Sequence, residues 1–222
     1  MTQTTAVIVD IVRSRELTDR RTAQRQLETA FALVNESGHA TQPFAASVGD
    51  ELQALFPSAP HALRAVLLVR LALPPALDCR FGMGSGVVRT VGTGLTAPLQ
   101  DGSAWWLARD AIDEVHRRES SRTPSLHTWY LADPETAEPS DLPEGIVNAY
   151  LLARDHLVSE MSDRARRLSL GLLLGRNQSA LAREEGITQG AVSQSLQRSG
   201  APTLLAGLAA IGLSASDAAS KR

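Results

Sequence analysis

Residues 6–12, AVIVDIV, are apolar at every position except Asp10. A run this short and this rich in Val and Ile reads as a strand buried on both faces, so the fold must cover a sheet from two sides. A carboxylate inside such a strand is costly unless its desolvation is offset, and a positive charge is expected beside Asp10. Arg13 and Arg15 are the nearest candidates in the chain.

The pattern then alternates between helix and strand periods. Ala23, Leu27, Ala30, Phe31 and Val34 share one helical stripe. Residues 44–48 and 52–56 are short apolar pieces around Gly49, Asp50 and Glu51, a hairpin with an acidic tip. A helix over about residues 60–73 stops at Pro74 and Pro75, which have no backbone donor to continue it. Cys79, Phe81 and Met83 alternate with polar or glycine neighbours in a strand ending at Gly86. Ser103 is expected to cap a helix whose stripe is Ala104, Leu107, Ala108, Ala111, Ile112 and Val115. Residues 126–131 supply the last strand. The order begins βαββαβ, a ferredoxin-like palm arrangement in which two helices cover one face of an antiparallel sheet. Residues 1–132 are therefore expected to form an α+β domain.

Residues 133–145 hold three prolines and five acids with no large apolar run, as expected of a linker. Everything after it reads as helical, giving an all-α domain over residues 146–213 and a flexible tail at 214–222. Ser162, Asn177 and Thr188 stand where N-caps are needed, and Gly186 and Gly200 where helices end. Within residues 178–198, Ala182, Gly186 and Val192 have the spacing of a helix-turn-helix: a small contact residue, a turn glycine and a buried aliphatic residue. Leu181, Ile187 and Leu196 complete its core, while Glu185 stands where an apolar residue is more usual.

Read as a double-stranded DNA reader, this unit presents Gln189, Gly190, Ser193 and Gln194 to base edges. Asn177, Gln178, Thr188, Arg198, Arg167 and Arg176 lie around them, with Arg164, Arg166 and Arg183 adding positive charge for phosphates. The charge is unevenly divided, −5 over residues 1–144 and +3 over residues 145–222. The competing reading is a helical hairpin used only for packing or dimerisation.

In the front domain, Asp10-Ile11-Val12-Arg13-Ser14 and Val48-Gly49-Asp50-Glu51-Leu52 resemble the two metal-binding segments of class III nucleotidyl cyclases and GGDEF enzymes. With FGMGSG at 81–86 and DGSAWWLARDAI at 101–112, the chain more closely resembles the SatD family of bacterial proteins, which join such a domain to a helix-turn-helix. The resemblance implies Mg²⁺ at Asp10, Asp50 and Glu51 and a purine nucleotide or cyclic (di)nucleotide as ligand. Ser14, Arg15, Gly49 and Gln53 neighbour the metal segments, and Trp105, Trp106 and Arg109 flank the expected site. The cyclases carry an asparagine and an arginine one helical turn apart that orient ribose and phosphate; here Trp106 and Asp110 stand at those places. An acid opposes stabilisation of phosphate charge, so no catalytic residue is assigned. An outward Trp106 serves either as a platform for a nucleobase or as part of a protomer interface.

The expected function is a sequence-specific DNA-binding transcription regulator, homodimeric so that two recognition helices reach half-sites about 34 Å apart. The alternatives are an active cyclase or dinucleotide-forming transferase, and a front domain that is purely a dimerisation scaffold. One cysteine and five scattered histidines exclude a disulfide framework and a multi-cysteine zinc site. Without a signal-peptide pattern or a membrane-length apolar run, the expected location is the cytoplasm, with no membrane partner. GMGSG lacks the context of a nucleotide fingerprint or P-loop and is expected to mark tight strand geometry.

Overall fold

The apolar run becomes β1 (Thr4–Ile11), the middle strand of a sheet. The computed structural model describes residues 3–12, 19–47, 51–74, 76–93, 98–121, 123–138 and 141–211. Arg13, Ser14, Arg15, Gly49, Asp50 and the 214–222 tail lie outside these. After β1 come α1 (Arg20–Glu36), β2 (Gln42–Ala46), β3 (Leu52–Phe56), α2 (Ala59–Ala72) and β4 (Cys79–Gly86). Next are β5 (Arg89–Thr93), β6 (Pro98–Asp101), α3 (Ser103–Glu119) and β7 (Thr128–Ala132). The back half is α4 (Glu144–Ser159), α5 (Asp163–Leu173), α6 (Gln178–Glu185), α7 (Gln189–Arg198) and α8 (Ala201–Ala210). The protein is thus α+β, with a five-stranded sheet of order β2-β3-β1-β4-β7.

β1 runs antiparallel to both β3 and β4, but β7 joins β4 in parallel, so the sheet is mixed rather than antiparallel. Parallel pairing needs a crossover, and α3 provides it. Alternation along β1 divides the core in two. Val7 and Val9 pack with the residues of α1 and α2, whereas Ala6 and Ile8 pack with Ala104, Ala108 and Ile112 of α3. The α1 stripe is buried as its spacing requires; on α3 the buried stripe omits Leu107, which is half-buried.

α3 lies unusually close to the sheet. On β4, a Cβ at Gly82 would stand 2.1 Å from the Ala108 carbonyl oxygen, at Gly84 2.3 Å from that of Ala104, and at Gly86 2.4 Å from Ser103 Oγ. The glycines of FGMGSG are therefore seats for a helix. Ser103 does not cap it: Gly102 occupies the N-cap with φ 138, and Ser103 Oγ accepts from the Val87 N–H at 3.0 Å. The β5–β6 hairpin, which no hydrophobic alternation announces, projects beside this helix start.

Both sheet margins are met by side chains from helices. Asn35 of α1 donates to the Phe44 carbonyl at 3.0 Å and accepts from its N–H at 2.8 Å. Asn148 of α4 does the same for Tyr130, at 2.8 and 3.0 Å. Glu144 accepts from the Ala132 N–H at 3.2 Å. The segment expected as a linker forms turns from Asp133 to Thr136 and delivers α4 back onto β7. One apolar core runs from β1 through α2 into α5, α7 and α8.

The helix seat can be tested by urea unfolding. Gly84→Val is expected to cost about 3 kcal/mol or more, since α3 backbone cannot yield to the added methyls. Gly145→Ala, where a Cβ meets nothing within 4 Å, is expected to change stability by no more than about 1 kcal/mol.

Candidate functional site

Three regions bring the expected functional residues into view. The first is the polar corner where β1 ends. Asp10 continues the α3-facing series of Ala6 and Ile8, and its Oδ2 lies 3.2 Å from Arg80 Nη1 and 3.2 Å from His116 Nε2. Among the described residues an offsetting charge comes from the neighbouring strand, where Asp10 and Arg80 are register partners; Arg13 and Arg15 lie outside them. Arg80 also donates from Nε to Glu119 at 2.5 Å. Glu51 is gripped by Arg109 through two bonds of 2.5 and 2.8 Å, and Gln53 donates to it at 2.9 Å. The Glu51 bond raises the Arg109 pKa despite some burial.

A proposed metal carboxylate and a proposed nucleotide contact are therefore partners of each other. Among the described residues no three His, Cys, Asp or Glu side chains converge to hold a metal ion. With Arg80 on Asp10 and Arg109 on Glu51, the described part of the corner fits Mg²⁺ poorly. Ser14, Arg15, Gly49 and Asp50 lie outside the described residues.

The second region is a cleft of about 670 Å³ between the β5–β6 hairpin, the start of α3 and the turn at 133–138. Trp106 is 60% exposed on its wall, and its indole Nε1 donates to Asp101 at 2.8 Å. Trp105 faces the other way, half-buried against the Ala6–Ile8 side of the core.

The third region is α5 to α7. Gly186 takes a left-handed φ of 65, the Ile187 N–H returns to the Ala182 carbonyl at 3.0 Å, and Leu181, Ala182, Val192 and Leu196 are buried. Gln189, Gly190 and Gln194 are exposed and Ser193 half-buried. Ser179 donates to Gln189 at 3.2 Å. Asn177 and Thr188 use their side chains as caps, accepting from Ala180 and Ala191, while Gln178 is half-buried.

The arginines are less available than their number promised. Arg167 makes two 2.7 Å bonds to Glu185, which explains an acid at that apolar position, and Arg176 is 2.7 Å from Glu184. Arg166 is buried. Arg198 and Arg183 are exposed and have no ion pair among the described residues.

Sequence reading missed a buried ionic cluster between the front and back halves. Arg70 interrupts the apolar helix α2 and is fully buried, as are Arg154 and Asp155 of α4. Asp155 Oδ1 receives Arg70 Nη1 at 2.7 Å and Arg154 Nε at 2.9 Å, while its Oδ2 accepts from the His127 N–H at 2.8 Å. Arg154 also donates to Thr128. Asp78 adds a 3.1 Å pair with Arg70 and lies 3.4 Å from His127 Nε2. The signal was available in ALRAVLLVRLA, where Arg70 needs a buried acid once the helix is recognised as apolar all round. Next to it, burial pushes the Cys79 thiol upward, leaving it unreactive.

No helix among the described residues is long and apolar enough to cross a membrane. In comparison with known proteins, the SatD family model matches residues 4–204. No curated protein matches the chain.

The buried cluster generates a pH dependence. Burial pushes the Asp155 carboxyl upward, but Arg154 and Arg70 outweigh it and hold the pKa below the usual carboxylate range. Its contribution is present above an unfolded value of about 3.9 and is lost as pH falls through the lower folded value. Burial, then Arg70, lowers the His127 pKa, so its contribution is complete above about 6.5 and declines below it. Stability is expected to fall on the acid side for both reasons. Asp155→Asn should cost about 3–5 kcal/mol in urea unfolding at neutral pH, because two buried guanidinium groups lose their acid. His127→Gln should flatten the decline in Tm between about pH 7.5 and 5.5; an unchanged decline removes His127 from the account.

Proposed function

The chain belongs to the SatD family, and from that premise we propose that it is a sequence-specific DNA-binding transcription regulator. The observation that carries the reading is the α6–α7 pair. Its left-handed turn at Gly186 and its buried Ala182 and Val192 hold two helices in helix-turn-helix fashion, and a glutamine-rich face is left to solvent. In this reading Gln189, Gly190, Ser193 and Gln194 meet base edges and Arg198 meets phosphate. Arg167 and Arg176 hold the unit together through Glu185 and Glu184 and add phosphate contacts only by leaving those partners. Two copies are needed to read half-sites.

The front sheet, whose β1 to β4 follow the strand order of a ferredoxin-like palm, is the sensing part of the proposal. Its ligand is a purine nucleotide or a cyclic (di)nucleotide at the corner of Asp10, Glu51 and Arg109, with Trp106 at its margin. Mg²⁺ belongs to the proposal only as a companion of ligand phosphates, in competition with Arg80 and Arg109 for the carboxylates. Catalysis is not part of it: Asp110 and Trp106 stand where charge stabilisation would be needed.

The full chain is to be tested by selection from random duplexes followed by anisotropy titration across salt. Enrichment of one motif is expected. Gln194→Ala should relax one base position by about 1–3 kcal/mol, and Arg198→Ala should weaken all sequences alike and lower the salt slope by about 1. No enrichment and no low-salt binding would sink the DNA reading. Thermal shift with ATP, GTP and cyclic mono- and dinucleotides, with and without Mg²⁺, addresses the sensing part separately: a rise of several degrees with one of them is expected, and none with any removes it.

A further inference from the structure

The arginine that sequence reading gave to DNA phosphates, Arg166, is only 3% exposed. Arg70 and Arg154 are equally buried but share Asp155. Arg166 has no such acid: among the described residues no carboxylate comes within 4.0 Å of it. Its Nη1 donates to the carbonyls of Leu73 at 3.3 Å and Arg70 at 3.5 Å, both long bonds, and its buried Nε has no hydrogen-bond partner among the described residues. Burial is the largest influence on this guanidinium and lowers its pKa, while Asp78 and Asp163 oppose this only at longer range. A cation removed from water without a counter-charge is expensive to maintain.

Arg166 is one of the residues that line a cleft of about 340 Å³ between α1, the end of α2 and the start of α5. Arg25 and Arg167 line the same cleft, as do Thr22 and Gln26, and among the described residues Asp163 is the one carboxylate on its wall. Arg25 is exposed; among the described residues its guanidinium donates to Thr22 at 3.1 Å and lies within electrostatic reach of Asp19. The end of α2 supplies an apolar wall from Leu71 to Pro74. The cleft is too small for a duplex and has the volume of a small-molecule site. Three guanidinium groups around one opening match the planar, multidentate recognition that phosphoryl oxygens receive from arginine.

We propose that this cleft binds a small phosphoryl-bearing anion, with Arg166 as its buried charge and Arg25 and Arg167 closing on it from either side. The site lies on the α1 and α2 side of the sheet, opposite the Asp10 corner on the α3 side, and it requires neither nucleotide at that corner nor DNA. It has a route to α6. Arg167 is tied to Glu185, the last residue of α6 before Gly186. An anion that draws Arg167 inward competes with Glu185 for the same guanidinium.

The test is thermal shift and calorimetric titration of the full chain with pyrophosphate and inorganic phosphate, against sodium chloride at matched ionic strength. A saturable rise in Tm with pyrophosphate, smaller with phosphate and absent with chloride, is expected. Arg25→Glu, at an exposed position that does not threaten folding, should weaken pyrophosphate binding by about ten-fold or more. Arg166→Lys, which keeps the charge and loses the fork, should also weaken it; if that variant does not fold, Arg167→Gln takes its place. Asp10→Ala should leave binding unchanged. Absence of a saturable shift, its persistence at full strength in Arg25→Glu, or its loss in Asp10→Ala would each overturn the proposal. No DNA is in the assay, so the outcome is independent of the DNA-binding reading.

Discussion

The contact between α3 and the glycines of β4 governs the arrangement of the front half. A helix normally stands off a sheet by the depth of two layers of side chains; here Gly82, Gly84 and Gly86 remove one layer, and Ala104 and Ala108 thin the other. At that separation α3 can cross from β4 to the parallel β7, and its polar flank comes down over the end of β1. Arg109 reaches Glu51 and His116 reaches Asp10 because the helix axis is close enough for side chains of ordinary length. Trp106, between Ala104 and Ala108 in the chain but not on the face they press to the sheet, is left outside.

Charge compensation follows one rule at the surface and another inside. At the Asp10 corner the ion pairs are partly exposed, so each is worth little in stability and yields at small cost to a competing ligand. Between α2, α4 and β7 the charges are buried, and Asp155 with its two arginines ties the front sheet to the back helices. A net charge counted along the chain does not distinguish these uses. Of the six arginines around α6 and α7, one is buried and three, Arg164, Arg167 and Arg176, are paired with Glu184 or Glu185.

Much of the fold was legible wherever the determinants are local. The stripe of α1, the caps at Ser162, Asn177 and Thr188 and the turn at Gly186 need only a few neighbouring residues, and each is found where spacing puts it. The β5–β6 hairpin was not legible because Val91 and Leu99 are exposed, so burial imposes no alternation there. Arg80 reaches Asp10 through strand register across 70 residues, which no local window of sequence contains. The parallel docking of β7 and the Arg70–Asp155 pair likewise depend on contacts that no local window contains. Of the candidate site, residue types were readable and their pairing was not: Glu51 and Arg109 were named for different ligands and hold each other.

The asparagine contacts at the sheet margins bear on how copies of this protein meet. Along β7, the backbone amide and carbonyl of Tyr130 are already paired with Asn148, and the amide of Ala132 with Glu144. A strand from another molecule arriving at that margin finds the ladder interrupted at Tyr130 and Ala132, and would have to displace Asn148 and Glu144 of α4 to pair there. The sheet resists extension on that side because its own chain occupies the middle of the last row. Assembly there is left to side-chain surfaces, whose pairing can be made and broken without reopening the fold.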